Sequence, residues 1–232
     1  MICYNNTIMG SNISANYELI INNPEVAIYL KTADDNFAAI GYKEHGLRHA
    51  RLTANIAGNV LKFLGYSERD IELARIAGYL HDIGNAIAQR DHAQTGAVLS
   101  EFLLHRIGFS YDDIFPVITA IGSHEDKDEL PPDALAAAVI LGDKSDVNRG
   151  RVRQKDLSQL DTHGRVNYAC IRAFLRVEKD SPEISLELTI DTSICSVMDY
   201  FEIFLSRMNF CRLASKVLKK EFVLYINKDR FL

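Results

Sequence analysis

Residues 71–85 read IELARIAGYLHDIGN, and this stretch decides the fold. Ile71, Leu73, Ile76, Ala77 and Leu80 recur at helical spacing, and the apolar run ends on His81-Asp82-Ile83-Gly84. A His-Asp pair in so apolar a helix is costly to bury without a partner. A metal ion would supply one.

Working outward, helical patterning extends on both sides, with segments over residues 24–41, 44–64, 67–83, 91–107, 111–124 and 132–143. In the second, Leu52, Ile56, Val60 and Phe63 form a stripe that Gly65 ends. Ser67 and Asp70 make a capping arrangement for the third, which Gly84 closes. Asp91 is a candidate N-cap, and Pro131-Pro132 opens an Ala-rich helix ending at Asp143. From residue 169 the period becomes two. Ile171, Ala173, Leu175 and Val177 form one strand, and Leu186, Leu188 and Ile190 a second after the turn at Asp180-Ser181-Pro182. A helix over 195–218 with Val197, Phe201, Leu205 and Met208 in one stripe follows, then a strand carrying Phe222, Leu224 and Ile226. The expected fold is mainly α: a helical bundle followed by a small α+β (ββαβ) module. The division is an N-terminal arm over 1–23, a bundle over 24–150, a connector over 151–168 and the module over 169–232. A strand exposed at the sheet edge near 222–228 would allow homo-oligomer formation.

The chain has 232 residues, 47% hydrophobic and 25% charged, with a net charge of -5. That is enough apolar content to bury a core and argues against disorder. No apolar run approaches the ~20 residues of a membrane span. The acidic balance argues against a dedicated nucleic-acid partner. The start lacks a secretory pattern, and the four cysteines (Cys3, Cys170, Cys195, Cys211) are widely spaced without a CxxC. A cytoplasmic protein with reduced thiols is expected.

Six of the seven histidines lie between residues 45 and 124. His45, His81, His92 and His124 fall at helix ends or faces, with Asp82 and Asp143 near them in the pattern. His49 and His105 read as ordinary surface or core histidines. Imidazole with carboxylate suits Fe, Mn, Ni or Zn better than Ca or Mg alone. An Asp beside a His can give one oxygen to each of two ions, and two ions would activate a bridging water and clamp a phosphoryl group. Phosphate recognition needs cations. Arg48, Arg90, Lys144 and Arg149 are the candidates, followed by Arg151 and Arg153, with an interface salt-bridge set as the other reading for residues 149–153; Asp146 is a candidate acceptor for a ligand or for Lys144.

The runs EHGLRHARLTANIA (44–57), YLHDIGN (79–85), RDHAQTGA (90–97), IGSHED (121–126) and ILGDKSD (140–146) resemble the HD-domain metal-dependent phosphohydrolase superfamily, in its binuclear H…HD…H…H…D form. The resemblance covers residues 24–150. It implies His45, His81, Asp82 and Asp143 as ligands of one divalent metal, with Asp82 bridging to a second held by His92 and His124. Fe or Mn is favoured, with Mg, Ni and Zn as alternatives. Asp82, Lys144 and Arg48 are the expected catalytic residues. The chain departs from the cyclic-dinucleotide branch: Asn85 follows HDIG, there is no GYP, and Ser123 rather than a second His precedes His124. The implied activity is hydrolysis of a phosphoester in a nucleotide or other phosphorylated small molecule. The rivals are a non-catalytic nucleotide-binding module and a di-iron oxygenase.

Overall fold

The computed structural model describes residues 15–39, 44–126, 129–154 and 156–231. The described elements are mainly helical, with a four-stranded mixed sheet near the C-terminus. The helices are α1 (Tyr17–Ile21), α2 (Pro24–Ala39), α3 (Leu47–Leu64), α4 (Glu68–Leu80), α5 (His92–Ile107), α6 (Tyr111–Ser123), α7 (Ala134–Lys144), α8 (Thr162–Ala169) and α9 (Val197–Val217). The strands are β1 (Cys170–Val177), β2 (Glu183–Ile190), β3 (Glu221–Ile226) and β4 (Asp229–Arg230).

Helix α3 is the hub, packed against both α4 and α7. Its buried face is Ala50, Thr53, Ala54, Ala57, Gly58 and Leu61, mostly small side chains. The partners meet it through glycine: a Cβ on Gly78 would lie 2.9 Å from Ala54 Cα, and one on Gly142 would lie 2.8 Å from Thr53 O. The expected stripe is therefore only partly inside, and Phe63 is exposed. Gly65 ends the helix in the left-handed region at φ 84°, where a Cβ would clash. Ser67 caps α4 by accepting from the Asp70 amide, and Ile71, Leu73, Ile76 and Leu80 are fully or almost fully buried. Each contributes about 1.5–3 kcal/mol by leaving water.

Gly84 does not close α4. The helix stops at Leu80, His81 is its C-cap, and Gly84 lies in a 3-10 turn over Ile83–Ala86. That turn presses on the start of α5, where a Cβ on Gly84 would come within 2.1 Å of His92 O. We expect Gly84→Ala to cost about 3 kcal/mol and to lower the melting temperature by several degrees. An unchanged melt would show that the turn can move aside. Asp91 is the N-cap residue of α5 as expected, but sits in the left-handed region, φ 56°, and makes no side-chain cap bond. The Ala-rich helix opens on Asp133, which accepts from the Ala136 amide, rather than on the prolines.

β1 and β2 pair antiparallel, β2 and β3 parallel with α9 as the crossover, and β3 and β4 antiparallel. The order β1-β2-β3-β4 puts β3 inside the sheet, so the expected edge strand near 222–228 is an inner one. An irregularity between Cys170 and Arg172 shifts the alternation of β1 and leaves Ile171 exposed. Helix α9 carries a capping box from Ser196 and Asp199 and packs on α7. Its buried stripe is Tyr200, Phe204, Met208, Cys211 and Ala214, with Leu205 exposed. Of the expected stripe, Met208 is buried and Val197 and Phe201 pack partly buried at its margin, while Leu205 turns outward, because aromatic residues occupy several faces of this helix. Helix α8 falls in the stretch read as connector, and α1 in the stretch read as an arm. One continuous apolar cluster runs from Ile20 through the bundle to Ile226. Among the described residues no helix is long and apolar enough to cross a membrane.

Candidate metal centre

Five helices bring their ends or inner faces to one point. His49 comes from the first turns of α3, His81 and Asp82 from the end of α4, and His92 from the start of α5. His124 is the C-cap of α6, and Asp143 lies in the last turn of α7. His49, His81, Asp82, His124 and Asp143 are buried, while His92 is partly exposed.

Each described ring of this cluster is anchored through Nδ1. His81 Nδ1 is 2.9 Å from Gly78 O, His92 Nδ1 is 3.0 Å from Gln89 O, and His124 Nδ1 is 2.6 Å from Ile121 O. His49 Nδ1 is 2.7 Å from Asp146 Oδ2. Carbonyl and carboxylate oxygens only accept, so each Nδ1 carries the proton and donates it. All four Nε2 atoms then point inward. The Nε2 atoms of His49 and His81 are buried without a hydrogen-bond partner, and those of His92 and His124 face each other at 3.2 Å. Two lone pairs at that distance repel unless a cation or proton lies between them.

The carboxylates complete the set. Asp143 Oδ1 is 3.3 Å from His49 Nε2 and 3.8 Å from His81 Nε2. Asp82 Oδ2 is 3.6 Å from His49 Nε2 and 3.4 Å from His81 Nε2, while its Oδ1 is 3.4 Å from His92 Nε2. Among the described residues three groups have ligand atoms close enough to hold an ion: His49-His81-Asp82, His81-His124-Asp143 and Asp82-His92-His124. Imidazole nitrogens and carboxylate oxygens, pre-oriented and short of partners, fit a divalent transition metal.

The electrostatics agree. Burial alone would push His81 down, but Asp82 and Asp143 outweigh it and raise it to about 9. Burial, His81 and Lys144 lower His124 to about 4, so it is neutral at pH 7. Burial would raise Asp82 and Asp143, yet the surrounding imidazoles hold the first, and Lys144 with the imidazoles the second, well below the usual carboxylate range. Without a metal, therefore, His81 supplies the positive charge as an imidazolium. A metal must expel that proton. We expect apparent metal affinity to rise with pH through the neutral range and level off above about 9. Calorimetric titration in buffers of different ionisation enthalpy reads the release, and its absence would remove His81 from the ligands.

One expected ligand, His45, lies outside these three groups. His45 precedes α3 and stacks on Phe37, ring centroids 4.1 Å apart, lining the cavity above the cluster. His49, one turn further on, places its nitrogen inside the cluster. The two histidines are four residues apart and share a helical phase, so spacing alone could not choose between them. His105 is exposed and stacks on Tyr111, as expected for a surface histidine.

Asp146 buttresses the site. It accepts from His49 and from Arg48 Nη2 at 2.9 Å, with Arg151 Nε at 3.7 Å. Asn85 donates to Asp82 Oδ1 at 2.9 Å and fixes that carboxylate. Arg151 fits the salt-bridge alternative for residues 149–153, while Asn85 carries no sequence signal for its contact with Asp82. We expect Asp146→Asn to weaken metal binding about 10- to 100-fold, because it loosens the His49 ring without removing a ligand. Equal affinity in competition with a chelating dye would show that His49 needs no such support.

Of the expected phosphate-binding cations, Lys144 and Arg153 line the cavity, and Lys144 lies nearer the cluster. It is buried, 2.6 Å from Asp143 Oδ2 and bonded to Glu125, with its ammonium 5.0 Å from the Phe210 ring centroid. Arg48 is committed to Glu44 and Asp146, Arg149 to Tyr168 O and its ring, and Arg90 is exposed beside Asp91. Beyond Arg153 the cavity reaches His163, between the last bundle helix and the sheet, and Arg207 on α9.

The HD domain family profile matches residues 42–202, well over half of the chain, and the chain belongs to that family. The match runs beyond the bundle into α9. A Methanocaldococcus jannaschii protein named Uncharacterized protein MJ1020 is 27% identical over 199 residues, 75% of each chain. Ribonuclease Y of Aster yellows witches'-broom phytoplasma is 32% identical over 118 residues, and that of Oceanobacillus iheyensis 33% over 116. These stretches are 51% and 50% of the present chain but only 21% of each ribonuclease Y. A crystal structure of a predicted HD superfamily hydrolase from an uncultured Thermotogales bacterium superposes with a TM-score of 0.42 at 22% identity, covering 56% of this chain and 73% of that one.

Proposed function

We propose that this protein is a metal-dependent phosphohydrolase that cleaves a phosphoester in a nucleotide or other phosphorylated small molecule. The observation that carries the reading is the set of inward-facing Nε2 atoms around Asp82 and Asp143, buried at the floor of a cavity of about 700 Å³. That volume suits a nucleotide-sized ligand. His49, His81, Asp82 and Asp143 would hold one divalent ion, and Asp82, His92 and His124 a second. When bound, such ions lower the pKa of water toward neutrality and polarise a phosphoryl oxygen. Fe or Mn suits the donors best.

The chain's own groups do the rest. Asp82 faces the two histidine sets with different oxygens, and Asn85 fixes one of them. Lys144 keeps its proton, because Asp143 and Glu125 outweigh its burial. It places a fixed positive charge beside Asp143 where the cavity opens, available to charge developing on phosphoryl oxygens. His45 and Phe37 form one wall, keeping bulk water from that side. Cys170, Cys195 and Cys211 are buried and unpaired, which supports a reducing, cytoplasmic setting.

The test is a phosphoester screen of protein loaded with Mn²⁺ or, without oxygen, Fe²⁺. Turnover of a nucleotide or sugar phosphate, abolished by chelator and restored by metal, is expected. Turnover only of a 5′-phosphorylated RNA oligonucleotide would overturn the small-molecule substrate. Oxygen-dependent product formation without phosphate release would overturn hydrolysis, and tight nucleotide binding without turnover under any metal would favour a regulatory module.

A further inference from the structure

Among the described residues, three Lys or Arg side chains line the cavity: Lys144, Arg153 and Arg207. Two have carboxylate partners. Lys144 lies between Asp143 and Glu125, and Arg153 pairs with Asp34. Arg207 makes no ion pair among the described residues, and its Nη1 is buried without a hydrogen-bond partner. Its guanidinium lies 5.0 Å from the centroid of the Phe204 ring, which braces it. A buried donor on a charged group is costly to leave without an acceptor. Like charge adds to this, since Arg207 is near enough to oppose the Lys144 ammonium. A planar fork in this setting matches a phosphate or carboxylate, which it can bind through two parallel N–H bonds.

The position is as informative as the missing partner. None of the proposed metal ligands lies on α9, so Arg207 reaches the cavity from the C-terminal part of the chain while the ligands come from the bundle. Arg207 can therefore meet a substrate group other than the one at the His-Asp cluster.

We propose that Arg207 is a specificity-determining residue that holds a second anionic group of the substrate, a phosphate or carboxylate, while the scissile phosphoester lies at the His-Asp cluster. The assignment of the scissile group rests on the phosphohydrolase reading above. The substrate class narrows accordingly to small molecules with two separated anionic groups. A singly phosphorylated neutral compound would leave Arg207 unpaired.

The experiment uses the whole chain loaded with Mn²⁺ and ligands that cannot be hydrolysed. A series of α,ω-alkanediphosphonates of increasing length is titrated calorimetrically against alkylphosphonates of matching length. Wild-type protein is expected to bind one length at least about tenfold more tightly than its singly charged counterpart, the scale of one charge-assisted pair. Arg207→Gln is expected to lose that preference and keep wild-type affinity for the alkylphosphonate. Arg207→Lys, which keeps the stem over Phe204 and the charge but not the fork, decides the matter if the Gln variant does not fold; most of the preference should be lost. No wild-type preference at any length, a preference that survives these substitutions, or an equal loss for both ligand types would overturn the proposal. An Arg207-dependent preference in a protein that hydrolyses no phosphoester supports the second-anion site and sinks only the hydrolase reading.

Discussion

Replacing Asp82 by Ala is expected to lower kcat/KM for phosphoester hydrolysis about a thousandfold or more, with the protein still folded. Asp82 belongs to two of the three ligand groups, and its oxygens face different histidines: Oδ2 is 3.4 Å from His81 Nε2 and Oδ1 3.4 Å from His92 Nε2. Its loss therefore weakens both halves of the centre, whereas loss of Asp143 removes an oxygen from one. Folding should survive, because Asp82 lines the cavity and is not part of the apolar core, and the apolar face of α4 is unchanged. Asp82→Asn is the stricter version, since it keeps the shape and removes only the charge. Steady-state kinetics with metal in excess check both. Retention of more than about a tenth of the activity would show that Asp82 does not hold the metals.

His49→Ala should lose metal and activity on a similar scale, whereas His45→Ala should keep its metal. His49 directs Nε2 at Asp82 and Asp143 and is held from behind by Asp146. His45 stacks on Phe37, with its ring centroid 5.6 Å from that of His49. Its substitution should act on the cavity wall, raising KM several-fold with little change in kcat. The reverse pattern, metal lost in His45→Ala and kept in His49→Ala, would return the ligand role to the earlier histidine.

The bundle was legible because its helices are strongly patterned and punctuated, as at Ser67 and Gly65. The phase of α9 was only partly so, since its aromatic residues point to several faces and tertiary packing chooses among them. Helix α8 was missed because THGRVNYA is short and polar, with little periodicity to see. In the centre, His81, Asp82, His92, His124 and Asp143 stood out by type and position, and the structure brings them together. His49 was passed over for a histidine one turn earlier that shares its phase. Arg207 gave no local signal, because an arginine among aromatic residues on a helix looks the same whether it faces water or a cavity. Arg48 and Arg149 had the right charge but found protein partners, which only the folded chain reveals.

The most direct test of the metal centre is elemental analysis of protein purified without chelator, alongside His92→Ala. Roughly two metal ions per chain, falling to about one in the variant, is the predicted result, as a shared-carboxylate pair of sites requires. No bound metal, even after incubation with Mn²⁺ or Fe²⁺, would contradict the account at its root.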